Sequence, residues 1–416
     1  MNRTLLFLVI GFSFFFLQFS YSQTNQNDQF LQRVGALDSI YSETLKEYRK
    51  IYVQLPASYE ANKNEKYPVV FILDGEVLLP TVNNVQDFYS GGFTPEMILV
   101  GISNETNRVR DLTTSKITEM YGMPFGQENG AAANFSMFLE TELIPFIENK
   151  YPVTPFRTLI GHSYGGLFTL YSLVTKPELF SNYIAIDPSL DWDNQKLLKQ
   201  ANQLLAKNSY QAKSLFMSLN GQLNMQDPTV TIANVMQDSS DFTLFPRSNI
   251  AFSELVAQNK QNGLALEWKF YPMDIHGTIP FPSIMDGLIS VFQWYQMENT
   301  DKFNSPETSK EELSEIIQYR AKKLNNYFKY PVAPYPEDLL NMLGYMSLDM
   351  EQTEKSKMFF EYNMEFYPNN PTVYDAMGDY YERNGDKTTA IKFVTKAYEM
   401  SGNSYYKDKM ETLNKK

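Results

Sequence analysis

Two histidines occur in the 416 residues of this chain, and one of them stands inside the string Gly161-His162-Ser163-Tyr164-Gly165-Gly166. The string reads G-x-S-x-G, the spacing of a tight strand-to-helix turn that lifts a serine hydroxyl out of the backbone. A serine hydroxyl is a weak nucleophile at neutral pH and needs a neighbouring base, most often an imidazole. His162 precedes the serine directly, and adjacent residues on so tight a turn point in different directions. That leaves His276, in Met273-Asp274-Ile275-His276-Gly277, as the base. The chemistry these residues could do is acyl transfer to Ser163, with His276 moving the proton.

Such a reaction needs donors for the oxyanion and an acid for the imidazole. Gly165 and Gly166 let the following helix begin close to the sheet, so the backbone N–H of Tyr164 faces the oxyanion. The second donor is expected from Gly75 or Glu76, just past the apolar run that ends at Asp74. The acid is expected in the loop from Asn220 to about Arg247, where Asp227, Asp238 and Asp241 are available. Asp238 is preferred, because its spacing ahead of the helix from Ser248 suits a long acid loop; Asp227 is the alternative. Asp274, two residues from His276, is expected to shape the histidine loop instead. No metal and no organic cofactor is needed for this chemistry.

The elements that must position these groups are legible. Lys50 to Pro56 alternates and ends at a proline. Pro68 to Leu73, Met97 to Ser103, Thr158 to Ile160, Tyr183 to Ile186, Ser214 to Leu219 and Leu266 to Tyr271 are apolar runs separated by helical patterns, notably Phe135 to Asn149, Leu167 to Thr175 and Asn249 to Asn262. Continuous apolar strands alternating with helices predict a mostly parallel sheet covered on both faces. Reactive groups in such sheets lie at the carboxyl ends of the strands. Gly75, Ser163, Asp187, the loop after Leu219 and His276 all fall there. The loop Glu119 to Ala133, rich in Gly and Ala, is expected to rim the acyl pocket.

Beyond about residue 300 the strands stop. Gly344 and Gly378, Ser356 and Ala390, and Asn363 and Ala397 stand at one constant offset of 34 residues. That period, with small and bulky residues in fixed slots, looks like a tetratricopeptide repeat, a helix pair that stacks on its neighbours. A helical appendage that steadies the preceding domain, or a docking site for a protein partner, are the two expected uses.

Met1 to Thr4 carries one cation, Leu5 to Phe19 is apolar apart from Gly11, Ser13 and Gln18, and Ser20-Tyr21-Ser22 supplies small residues before a polar stretch. This is the pattern of a secretory signal peptide cleaved after Ser22. The expected division is therefore 1–22 signal, 23–300 catalytic domain and 301–416 helical repeats, with the mature protein periplasmic or secreted and free of the membrane. The chain has no cysteine, which excludes disulfides, thiolate metal sites and a lipidated N-terminal cysteine. A formal charge of −12 without a basic cluster argues against nucleic acid as a partner.

Several stretches together resemble the Putative esterase family of α/β-hydrolases, which includes siderophore esterases, S-formylglutathione hydrolases, feruloyl and acetyl esterases and mycolyltransferases. They are Ser42-Glu43-Thr44-Leu45 with Arg49 to Pro56, Tyr67 to Gly75, Asn107 to Thr113, Phe138 to Pro145, Gly161 to Gly166, and His276-Gly277-Thr278-Ile279-Pro280. The resemblance implies an α/β-hydrolase fold, with Ser163 as nucleophile and His276 as base. Two departures stand out: Asp187-Pro188-Ser189-Leu190-Asp191-Trp192 replaces a common Ser-Pro-Ser-Leu-Trp-Trp, and Asn224 stands where siderophore esterases tend to be acidic. The expected function is hydrolysis of a small-molecule carboxylic ester or thioester. An acyltransferase on the same site, or a non-catalytic scaffold acting through the repeats, are the competing readings.

Overall fold

The computed structural model describes residues 34–59, 65–90 and 92–415. The proposed signal peptide and its cleavage point lie outside the described residues. An 8-stranded sheet runs in the order β1-β2-β4-β3-β7-β8-β9-β10. Its strands are β1 (Ala36–Ser42), β2 (Glu47–Gln54), β3 (Tyr67–Leu73), β4 (Ile98–Ile102), β7 (Val153–His162), β8 (Asn182–Ile186), β9 (Lys213–Asn220) and β10 (Leu264–Tyr271), while β5 (Glu119–Met120) and β6 (Met123–Pro124) form a separate hairpin. From β4 through β10 the neighbours are parallel, and β1 and β2 add an antiparallel edge.

Burial follows strand position as the patterning requires. All seven residues of β3 and all five of β8 are buried, whereas β2 and β10 alternate. Successive side chains point to opposite faces. Phe71 therefore joins a core with Phe168 and Trp192, while Val70 and Ile72 join a second core with Leu288. Helices cover both faces: α1 (Gly75–Tyr89), α2 (Arg108–Leu112), α3 (Ala132–Phe138), α4 (Ile144–Lys150), α5 (Tyr164–Thr175), α6 (Trp192–Lys207), α7 (Leu244–Gln258) and α8 (Pro280–Val291). The run expected as one helix from Phe135 to Asn149 is α3 and α4 joined by a π turn at Leu139–Leu143, next to Pro145, which has no N–H for the ladder.

The remaining helices are α9 (Thr300–Asn304), α10 (Lys310–Phe328), α11 (Glu337–Asp349), α12 (Thr353–Phe366), α13 (Pro371–Arg383), α14 (Lys387–Ser401) and α15 (Ser404–Lys415). The 34-residue period reappears in three dimensions. Tyr345 donates to Asp379 at 2.7 Å, Arg383 pairs with Asp349 at 2.5 Å and Lys409 with Asp375 at 2.6 Å, each spanning 34 residues. The helical region is fastened to the sheet domain. Leu324 and Phe328 of α10 complete the second core, and Trp294 stacks on Tyr327 with centroids 3.9 Å apart. Buried Arg320 donates to the carbonyls of Pro334, Gln296 and Tyr295.

Candidate active site

β7 ends at His162 within the G-x-S-x-G turn, and α5 begins at Tyr164, the residue after Ser163. Ser163 holds φ 61 and ψ −116, a conformation that L residues avoid. The strain is held by flanking bonds: Ser163 N–H donates to Ile186 O at 3.0 Å, and Ser163 O accepts from Leu167 and Ser189 N–H. Gly161 is obligatory beneath the turn, since a Cβ there would lie 2.2 Å from Gly165 O. The hydroxyl of Ser163 rests 3.3 Å from Ser189 Oγ.

Asp187, the first residue past β8, is fully buried and has φ 44. One carboxylate oxygen accepts from Asn220 N–H at 3.1 Å. The other accepts from Asn220 Nδ2 at 2.5 Å and lies 2.5 Å from His276 Nδ1. Three strand ends thus converge, with β8 giving the carboxylate, β9 the amide that holds it, and the loop after β10 the imidazole. That loop is tied down as well. Gly221 N–H donates to Asp274 O, His276 N–H donates to Gln222 Oε1, and Thr278 Oγ1 donates to Asp274 Oδ1. Asp274 therefore shapes the histidine loop, and the Phe245 and His276 rings meet nearly at right angles.

The expectation that Asp238 or Asp227 meets His276 is corrected by this geometry. Asp238 spends its carboxylate on Ser240 N–H at 2.7 Å, and Asp227 accepts from the backbone and hydroxyl of Thr229. Each caps its own turn, and those bonds hold both carboxyls below their usual range. Asp241 opens a separate turn, Asp241–Thr243. The acid beside His276 comes one strand earlier than expected.

Gly75 is the first residue of α1, not part of a simple turn, and Asp74 caps that helix in the left-handed region. A Cβ on Gly75 would fall 2.4 Å from Gly101 Cα, so only glycine lets α1 start this close to β4. The starts of α1 and α5 are neighbours, because a Cβ on Gly165 would sit 3.6 Å from Asp74 Oδ2. The first amides of a helix have no intrahelical acceptor, and those of Gly75, Glu76 and Tyr164 occupy such positions. Arg108 joins the two helix starts. Its guanidinium grips Asp74 through two bonds of 2.9 Å, donates to His162 O at 3.0 Å and lies over the Tyr164 ring. Arg108 lies in Asn107 to Thr113, one of the stretches that carry the family resemblance, but nothing in that run predicts its place beside the serine turn. That run is itself anchored, with Arg110 on Glu47 and buried Asp111 on Arg49, and Arg110 first among its partners holds Glu47 down at about 2.

The Glu119 to Ala133 loop carries the β5–β6 hairpin. At its tip Tyr121, with φ 50 and half exposed, hydrogen-bonds Asp191. Burial pushes the Asp191 carboxyl up.

His162, the residue before the serine, has its ring centroid 4.6 Å from that of His276. Burial, with the neighbouring His276 adding to it, pulls the His162 imidazole from 6.5 down to about 4. The unfolded chain therefore binds a proton here between those two values that the folded chain refuses. The contribution to stability is complete above pH 6.5 and is lost as pH falls towards 4, at up to roughly 1.4 kcal/mol per pH unit. Urea denaturation at pH 7 and pH 5 checks this, and the difference should shrink in His162→Gln.

With the geometry in place, comparison with known proteins is decisive for the family. The Putative esterase family model matches residues 42–260. The chain belongs to that family. Among curated relatives, this esterase-family chain is 35% identical to ferri-bacillibactin esterase BesA of Bacillus subtilis over 157 residues, which is 34% of this chain and 54% of that protein. It is 32% identical to the siderophore enterobactin esterase of Emericella nidulans over 184 residues, 40% of this chain and 58% of that one. The chain thus spans about half the length of the curated relatives it matches. Among solved structures, an IroE-like serine hydrolase from Shewanella oneidensis superposes with a TM-score of 0.64 at 28% identity, covering 80% of this chain and 99% of that one.

Proposed function

We propose that this chain is an exported serine esterase that hydrolyses a carboxylic ester or thioester through a Ser163–His276–Asp187 triad and an acyl-enzyme on Ser163, and that its natural substrate is a siderophore ester. The observation that carries the reading is the 2.5 Å contact between His276 Nδ1 and buried Asp187, set beside the strained Ser163 turn. Asp187 fixes the tautomer that leaves Nε2 free as a base. Ser163 Oγ leaves Ser189, attacks the carbonyl carbon and passes its proton to Nε2. The tetrahedral oxyanion is held by the N–H of Tyr164 and of Gly75 or Glu76, with two helix N-termini behind them. Collapse expels the alcohol, which takes the proton from His276. Water then attacks the acyl-enzyme by the same steps in reverse.

Export rests on the N-terminal apolar run and its small-residue exit, and implies a mature chain from Gln23 in the periplasm or medium. The siderophore assignment rests on the relatives named as siderophore esterases. Its test compares enterobactin and bacillibactin, iron-free and ferric, with p-nitrophenyl acetate. Binding energy from the remote parts of a true substrate should raise kcat/KM for at least one siderophore by about 100-fold or more over the simple ester. Equal or lower values would direct the search to other esters.

A further inference from the structure

We propose that His162, His276 and Asp187 together form a site for a divalent transition-metal ion of the Zn2+ type, and that filling it switches the esterase off. One ligand atom from each residue lies within 4.8 Å of the other two. Among the described residues, His162 Nε2 is buried without a hydrogen-bond partner, a state that burial normally penalises. Its ring lies alongside that of His276. Asp187 brings a fully buried carboxylate, and the His276 side chain is 42% exposed, which opens a way in from solvent.

The chemistry of this donor set is selective. Zn2+ binds imidazole and carboxylate at about 2.0–2.2 Å with tetrahedral geometry, so two ligands of one ion stand roughly 3.4 Å apart. To take an ion the widest pair must close by up to about 1.4 Å, and His276 Nδ1 and Asp187 Oδ2, now hydrogen-bonded at 2.5 Å, must part to admit it. Two imidazoles and one carboxylate leave a fourth position for water or the Ser163 hydroxyl, whereas Ca2+ and Mg2+ ask for six or more oxygens in sum. The chain has two histidines and no cysteine. Both imidazoles are in this cluster, so an ion that requires imidazole or thiolate ligands has no second place to bind.

Inhibition follows from which lone pair is used. Asp187 faces Nδ1 of His276, so an ion shared by the two sits on Nδ1. The imidazole then keeps its proton on Nε2, cannot accept one from Ser163, and the base is lost. Inhibition, though not binding, rests on the reading of His276 as the base.

The test uses the full mature chain with 15N-labelled histidine. On titration with ZnCl2 both imidazole signal sets should move and saturate at one ion per chain, while MgCl2 moves neither. Ester hydrolysis should fall in parallel and return with EDTA. In His162→Ala, each rate being referred to its own metal-free value, half-inhibition should need at least about tenfold more Zn2+, no less than the cost of disturbing an outer-shell partner. Imidazole signals that stay in place under Zn2+, or a His162→Ala enzyme as Zn2+-sensitive as wild type, would overturn the site while leaving the esterase intact. A chain inert toward esters that still binds one Zn2+ through both imidazoles supports the site and removes the esterase reading. The wild-type titration stands alone if the variant does not fold.

Discussion

Ser163→Ala lowers kcat for ester hydrolysis by about a million-fold, to the residual rate that oxyanion stabilisation and binding supply without a nucleophile. The magnitude follows from the loss of the covalent route, not of an accessory contact. Stability should move in the opposite direction in a companion variant. Ser163 stands at φ 61 and ψ −116, and backbone strain of this kind costs of order 1–3 kcal/mol at a non-glycine residue. Ser163→Gly should therefore be as inactive as Ser163→Ala yet melt higher, because glycine adopts that conformation freely. Calorimetry beside progress curves separates the two effects. A Ser163→Ala enzyme within tenfold of wild type would place the nucleophile elsewhere.

Asp187→Asn should cost about ten thousand-fold in kcat with little change in fold. Asparagine tolerates the φ of 44 found here, and it keeps the shape of the carboxylate. Its amide, however, offers Nδ1 of His276 a donor where an acceptor stood, so the imidazole takes the wrong tautomer. The contrast is with Asp238→Asn and Asp227→Asn, whose carboxylates serve only their own turns. Their hydrogen bonds go to Ser240 and Thr229, not to His276, so kcat in both variants should stay close to that of wild type. Steady-state kinetics on the three variants decides between the strand-end acid and the loop acids. A large loss in Asp238→Asn with a small one in Asp187→Asn would reverse the assignment.

The strands and the elbow were readable because their signals are local. Seven buried residues in β3 or five in β8 form runs that only a covered parallel sheet accommodates, and the glycines around Ser163 answer to contacts within one turn. The acid was not readable in the same way. Asp187 was visible as a polar residue closing an apolar strand, but its partner is 89 residues away. Nothing local distinguishes it from Asp238, which sits in a loop of suitable length. What separates them is burial and the pair of donors from Asn220, both properties of the folded sheet. Arg108 was hidden for the same reason, since its bonds to Asp74 and His162 span 34 and 54 residues. The helix α1 was masked by Asp74-Gly75, which reads locally as a turn and instead caps a helix pressed against Gly101. The 34-residue period survived into space because a repeat places equivalent residues side by side, as Tyr345 and Asp379 show.

The most direct measurement is intact-mass analysis of the mature chain after a fluorophosphonate, with peptide mapping of the adduct. One phosphonyl group should appear, on Ser163, and labelling should be absent in Ser163→Ala and slowed by orders of magnitude in His276→Ala. A chain that stays unlabelled, or carries the adduct on another residue, would contradict the serine-esterase reading.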